Sequence, residues 1–111
     1  MPRDSSAYFD DILDAIGAIR EYTRELNQER FGRDRKTVDA VVRNLEVIGE
    51  AVKQLPADVR SAHPDVEWQK IAGLRDILIH AYFGVDLDIV WDVVSNKLSA
   101  LETRIRSILD S

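Results

Sequence analysis

Apolar residues return at three- and four-residue steps along most of this chain, the spacing of helices that each bury one face. In the first block they fall at Phe9, Ile12, Leu13, Ile16, Ile19, Thr23 and Leu26, with Asp4 or Ser5 placed to cap the helix start. Between Asn27 and Lys36 charges and Gly32 replace the pattern, which predicts a loop. A second block, Val38, Val41, Val42, Leu45, Ile48, Val52 and Leu55, stops at Pro56, which biases the residue before it away from helix. Residues 57–64 then read as a connector with room for one short turn. Asp65 is placed to cap a third helix, whose apolar side is Trp68, Ile71, Leu74, Ile77, Leu78 and Ala81 and whose end Gly84 marks as a C′ glycine. Asp86 caps a long fourth helix carrying Leu87, Val90, Trp91, Val94, Leu98, Leu101, Ile105 and Ile108 at heptad spacing, the seam of a bundle or coiled coil. No run alternates as a strand would. The predicted fold is all-α: one domain, residues 1–111, built as an antiparallel up-and-down four-helix bundle with a short connector between the second and third helices.

Two features modify that outline. Gly17 and Gly49 lie inside predicted helices, where each costs about 1 kcal/mol relative to alanine. The small residues around Gly49, Glu50 and Ala51 predict a close approach of another helix to the second one. In addition, Tyr8, Val47, Ile79, Phe83, Ile89 and Val93 lie beside the main stripes. They form either a second apolar face, packed in a homodimer, or the margin of one broad core-facing stripe.

Composition narrows the function classes. With 45% hydrophobic and 32% charged residues the chain is an ordinary globular sequence. Its apolar runs are far short of the ~20 residues a membrane span needs, and no secretory signal is visible at the N-terminus. The absence of cysteine removes disulfides and thiolate metal sites and fits a reducing, cytoplasmic setting. A net charge of −5 argues against a protein held on nucleic acid by bulk electrostatics, so any RNA contact must be local or built by assembly. The one dense basic cluster is Arg30, Arg33, Arg35 and Lys36, either a solvated loop or a guide for RNA if it lies near Arg75.

Candidate chemistry is concentrated in one segment. There is no phosphate-cradling glycine loop, nucleophile elbow or zinc-protease motif. With His63 and His80 as the sole histidines a transition-metal site is not expected, and no cofactor is implied. His63, in the connector, reads as a surface residue. The pairs Asp10 with Asp14 and Asp88 with Asp92, each four residues apart, read as exposed helix charge. His80 differs because of its neighbours. If the third helix is continuous, Asp76 lies one turn before His80 on the same face and can orient the imidazole. Arg75 is then about 140° away from His80 around the helix, which favours a composite site where two copies of the segment meet. The purely structural alternative pairs Arg75 with an acid such as Glu50, hydrogen-bonds Asp76 to His80, and makes Tyr82 a half-buried anchor.

The run Arg75-x4-His80-x-Tyr82, set in Gly73-Leu74-Arg75-Asp76-Ile77-Leu78-Ile79-His80-Ala81-Tyr82-Phe83, resembles the signature of HepT-like proteins of the HEPN superfamily. The resemblance extends to Asn44–Ala51, Trp68–Ile71, Val85-Asp86 and Val90-Trp91, in the family's order. It implies a small helical endoribonuclease that is the toxin of a two-gene toxin–antitoxin system. It further implies a homodimer whose two motifs line one cleft, and metal-independent RNA cleavage with the ribose 2′-hydroxyl as nucleophile. The implied partner is a nucleotidyltransferase antitoxin of the MNT type, which transfers AMP to the motif tyrosine, here Tyr82. In this scheme His80, with an ordinary histidine pKa of about 6.5, moves a proton. Arg75 holds the scissile phosphate bidentately. Asp76 stands where the family usually has a polar residue, often Asn, and puts a negative charge near that phosphate. Two other classes remain open: a non-catalytic nucleotide-binding subunit of a two-part nucleotidyltransferase, and a plain helical interaction module.

Overall fold

The computed structural model describes residues 4–74, 76, 79–80 and 84–110, with residues 79, 80 and 85 described as backbone alone. The architecture is an all-α bundle. Helix α1 (Ser5–Thr23) starts where Asp4 accepts a hydrogen bond from the Ser6 amide, which relieves one of the unpaired first-turn donors. Helix α3 (Arg35–Gln54) starts the same way, with Asp34 accepting from the Thr37 amide, and ends where Leu55 turns extended ahead of Pro56. These two long helices pack along each other. Ile12, Ile16 and Ile19 of α1 meet Val41, Leu45, Ile48 and Val52 of α3, and all seven are fully buried. At about 1.5–3 kcal/mol per fully buried aliphatic side chain, this seam dominates the core.

Residues 27–36 are not a loop. Asn27 caps a short helix α2 (Gln28–Arg33) through the Arg30 amide, and Phe31 from its middle is completely buried. A single aromatic anchor among charges leaves no periodic signal, yet it supplies enough apolar area to dock one and a half turns. The expected turn in the connector is α4 (Ala57–Ser61).

The third helix is much shorter than its apolar stripe suggests. Helix α5 spans Trp68–Ala72, and Leu74 and Asp76 are again helical. Ile79–His80 (β1) is instead extended and pairs antiparallel with Gly84–Val85 (β2), Ile79 opposite Val85 and His80 opposite Gly84. β-Branched residues favour this extended form. Gly84, at φ +78°, takes a conformation that side-chain-bearing residues rarely adopt, so its role is in this pairing rather than as a helix C-cap. Asp65, expected to cap the third helix, instead binds Arg104 through Nη2 at 3.0 Å, and Glu67 holds the N-cap position without a side-chain bond.

The C-terminal helix runs as α6 (Leu87–Asp92), a π-helical turn (Val93–Lys97) and α7 (Leu98–Asp110). Asp86 caps it as expected, accepting from the amides of Asp88 and Ile89. Val90, Leu98, Leu101 and Ile105 reach the core, whereas none of the π-turn residues is buried, so the heptad seam is interrupted by one wide turn. Among the second-face candidates, Tyr8, Val47, Ile89 and Val93 are half-buried and packed on the core margin, the geometry of one broad stripe. The side chains of Ile79 and Phe83 lie outside the described residues.

Candidate active site

Three contacts position the segment that carries the Arg-x4-His-x-Tyr run. Trp68 is buried against Phe9 of α1, ring centroids 6.5 Å apart, and its Nε1–H donates to the His63 carbonyl at 2.9 Å. That hydrogen bond satisfies the indole and ties the connector to the start of α5. Gly49 of α3 then lets the α5 backbone come close. A Cβ at this position would stand 3.1 Å from the Ile71 carbonyl oxygen and 3.5 Å from that of Ala72. The expected close approach at Gly49 is therefore present, and α5 is the helix that makes it. On the far side of the segment, the capped first turn of α6 holds the chain as it leaves β2.

Between α5 and the C-terminal helix lies a cleft of about 500 Å³. Its walls are apolar, from Val66, Ile71, Leu74, Val93 and Leu101, and its last residue on the α5 side, Leu74, directly precedes Arg75. The wide π turn contributes Val93, Asn96 and Lys97; such turns occur frequently at functional sites. The rim is held by two ion pairs. Lys70 and Glu67 meet at 2.6 Å, which keeps the Glu67 carboxyl below its ordinary range and raises Lys70. Arg104 holds the Asp65 carboxyl down in the same way. Its Nε lies 2.6 Å from Asp65 Oδ2 but is not aligned as a hydrogen bond, so the aligned Nη2 contact carries the interaction. An apolar group entering this cleft would be flanked by fixed charges of both signs.

Asp76 is exposed, and its amide donates to the Gly73 carbonyl at 3.0 Å. His80 is in the extended β1, so Asp76 and His80 are not two residues of one continuous helix, and the one-turn helical spacing expected of them is absent. The angle expected between Arg75 and His80 likewise presumed that His80 is helical, which it is not. Arg75 and Tyr82, the other site residues, lie outside the described residues, as does the His80 side chain. Glu50, considered as a partner for Arg75, has Lys53 at 3.4 Å. His63 is half-buried and serves through its carbonyl. Asp88 accepts from Gln28 and Asp92 from Asn96, while Asp10 and Asp14 are exposed. Among the described residues no group of three or more His, Cys, Asp or Glu side chains is placed to hold a metal ion, and no helix is long and apolar enough to cross a membrane.

Sequence reasoning missed α2 as part of this neighbourhood. Gln28 Nε2 donates to Asp88 Oδ1 at 2.9 Å, and Phe31 stacks obliquely on Trp91 with ring centroids 5.2 Å apart. The short helix is thus docked on the first turns after β2. The alternating charges of residues 29–36 gave no sign of it.

Comparison with known proteins agrees with the family resemblance and the helical fold. The family model for HepT-like ribonucleases matches residues 12–108. A protein of Thermococcus cleftensis named "Probable ribonuclease HepT" is 44% identical over 97% of this chain and 98% of its own length. Two more relatives carry provisional RNase names. One, from Methanocaldococcus jannaschii, is 48% identical over 88% of this chain and 82% of its own. The other, from Caldanaerobacter subterraneus, is 41% identical over 92% of this chain and 91% of its own. No solved structure matches. The chain belongs to the HepT-like ribonuclease family.

Proposed function

We propose that this protein is an endoribonuclease, the toxin of a two-gene toxin–antitoxin system, acting as a homodimer through Arg75 and His80. The observation that carries the reading is the family match over residues 12–108, which contains the whole Arg75-x4-His80-x-Tyr82 run. Relatives of nearly the same length bear ribonuclease names, so the activity belongs to a domain of this size.

In the proposed reaction the ribose 2′-oxygen bonds to the adjacent phosphorus while the bond from phosphorus to the 5′-oxygen breaks. A proton leaves the 2′-hydroxyl and one reaches the departing 5′-oxygen, giving a 2′,3′-cyclic phosphate and a 5′-hydroxyl. His80 moves the proton near neutral pH. Arg75, permanently charged, stabilises the phosphate oxygens as charge grows on them. Asp76 lies on the exposed side just after Arg75 and works against that charge stabilisation. The second copy brings a second Arg75 and His80, and the cleft beside Leu74 supplies an apolar seat close to the motif. A partner nucleotidyltransferase neutralises the protein by placing AMP on Tyr82, which adds bulk and negative charge where RNA must bind.

The purified protein is expected to cut RNA in the presence of a chelator. Arg75→Ala and His80→Ala each lower the rate by at least about 100-fold, the scale of losing one general acid–base or charge-stabilising group. Tyr82→Phe keeps cutting but is not silenced by the nucleotidyltransferase and ATP. Undiminished cleavage by both the Arg75 and His80 variants, or a strictly monomeric active species, overturns the assignment.

A further inference from the structure

The sequence left a basic cluster, Arg30, Arg33, Arg35 and Lys36, with no role unless it lay near the motif. The structure places it against the helix that follows β2. Helix α2 is fastened to the first turns of α6 at two points, Gln28 on Asp88 and the Phe31 ring on Trp91, with Gly32 facing Leu87, whose Cδ1 would be 3.6 Å from a Cβ built there. Leu87 is three residues beyond Gly84, which pairs with His80. By chain reach, α2 therefore sits within roughly 25 Å of the His80 backbone, a span that a few nucleotides of single strand cover.

Orientation follows from the same contacts. At 100° per residue, Gln28, Phe31 and Gly32 cluster on the side facing α6, so Arg30 and Arg33 project from the opposite, solvent side. Lys36 continues the exposed basic surface into the first turn of α3. Within residues 29–36 four cations face two carboxylates, Glu29 and Asp34, a local charge of +2 in a chain of net −5.

The pairing pattern singles out two of these cations. Arg33 is engaged by Glu29 at 2.7 Å and Arg35 by Asp39 at 3.9 Å. Neither Arg30 nor Lys36 makes an ion-pair contact among the described residues, although the Lys36 charge helps to hold the Asp34 carboxyl below its ordinary range. Two carboxylates stand between this surface and β2, each fixed by hydrogen bonds that leave its charge in place: Asp86 caps α6 and Asp88 accepts from Gln28, so the strand would run over the outer face of α2 rather than along this side. An RNA strand leaving the cleavage site over the outer face of α2 would meet the exposed side chains of Arg30, Arg33 and Lys36 there.

We propose that α2 and the first turn of α3 form a phosphate-binding guide for single-stranded RNA flanking the cleaved bond, with Arg30 and Lys36 as its principal contacts and Arg33 as a third. The guide rests on the ribonuclease reading for its purpose, but its binding is measurable without cleavage. It gives an acidic protein a local way to hold a polyanion, and it ties affinity to substrate length.

The test compares the parent with Arg30→Gln/Lys36→Gln and with Arg106→Glu. The last makes the same change in total charge at a site roughly 28 Å along the C-terminal helix from Leu87. Binding of labelled single-stranded RNA, longer than the roughly 4–16 nucleotides a strand-binding groove covers, is followed by fluorescence anisotropy against salt. The double variant is expected to bind at least about ten-fold more weakly, with its salt dependence reduced by about 1.4, or about 0.7 for each phosphate no longer neutralised. Arg106→Glu stays near the parent, and cleavage of a dinucleotide is unchanged in both variants. The proposal is overturned if the double variant binds long RNA like the parent, or if Arg106→Glu weakens binding equally. It is also overturned if the parent binds no RNA, or if the double variant loses only its nucleotidyltransferase partner. Failure of cleavage alone, with binding still dependent on Arg30 and Lys36, would instead sink the ribonuclease reading and leave the guide standing.

Discussion

Phe31 shows how one side chain decides a local structure that periodicity misses. It is completely buried, stacks on Trp91, and is the sole buried residue of α2. Removing it leaves a void and frees a six-residue helix too short to persist alone. Phe31→Ala is therefore expected to cost about 3–5 kcal/mol, read from urea unfolding, a large share of the roughly 5–15 kcal/mol typical of a domain. A loss below about 1 kcal/mol would mean that α2 is not anchored this way. The residue was hard to see in the sequence because its neighbours within four positions on either side are nearly all polar or charged, and a lone apolar residue has no period. His80 poses the opposite difficulty. Its chemical setting stood out, but the Asp76–His80 pairing presumed a helix that does not continue through them, since apolar spacing over so few residues fits a buried helix and an extended run alike.

At the scale of elements, long stripes were legible and interruptions were not. The spans of α1 and α3, the cap at Asp4, the stop at Pro56 and the start after Asp86 all follow from local pattern, because each stripe repeats over several turns. The π turn at Val93–Lys97 and the end of α5 depend on tertiary packing, which no local window contains. The two helix glycines separate these influences. Gly17 lies on α1 with nothing within 4 Å of its Cβ position. Gly17→Ala should gain about 0.5–1 kcal/mol from helix propensity, raising Tm by several degrees at roughly 4–8 °C per kcal/mol. Gly49→Ala has the same propensity gain, but its methyl meets the Ile71 carbonyl at 3.1 Å. It is expected to give no rise in Tm and to lower RNA cleavage, because the displaced backbone leads straight into Leu74 and the motif. If Gly49→Ala raised Tm as much as Gly17→Ala with cleavage intact, the close approach of α3 and α5 would have no bearing on the site.

Across the whole molecule, the motif end is held largely by apolar packing of short elements, whereas α1 and the C-terminal helix are also clasped by charge. Glu102 of α7 binds Arg20 of α1, and it meets Arg106 one turn on at 3.2 Å; Arg20 also donates to Ser99 Oγ at 3.1 Å. The Arg20 hydrogen bond, reinforced by Arg106, keeps the Glu102 carboxyl below its ordinary 4.5. A group whose folded pKa is depressed adds stability above its unfolded value and loses it as pH falls through the folded one. The clasp thus contributes fully above pH 4.5 and fades below it, and Asp65 with Arg104 acts with the same sign below 3.8. Because Glu102 is part of a three-residue network and its side chain is only 19% exposed, the contribution belongs near the upper end of the ~0.2–1 kcal/mol range for surface pairs. Glu102→Gln should consequently be less stable than the parent by up to about 1 kcal/mol near neutrality. The gap should close as both are unfolded at successively lower pH below 4.5, as Glu102 becomes protonated in the folded state as well as the unfolded one. A gap that stays constant across that range would show that the substitution acts through packing of α7 rather than through its charge. High salt should narrow the gap at neutral pH for the same electrostatic reason, while leaving the buried α1–α3 seam untouched.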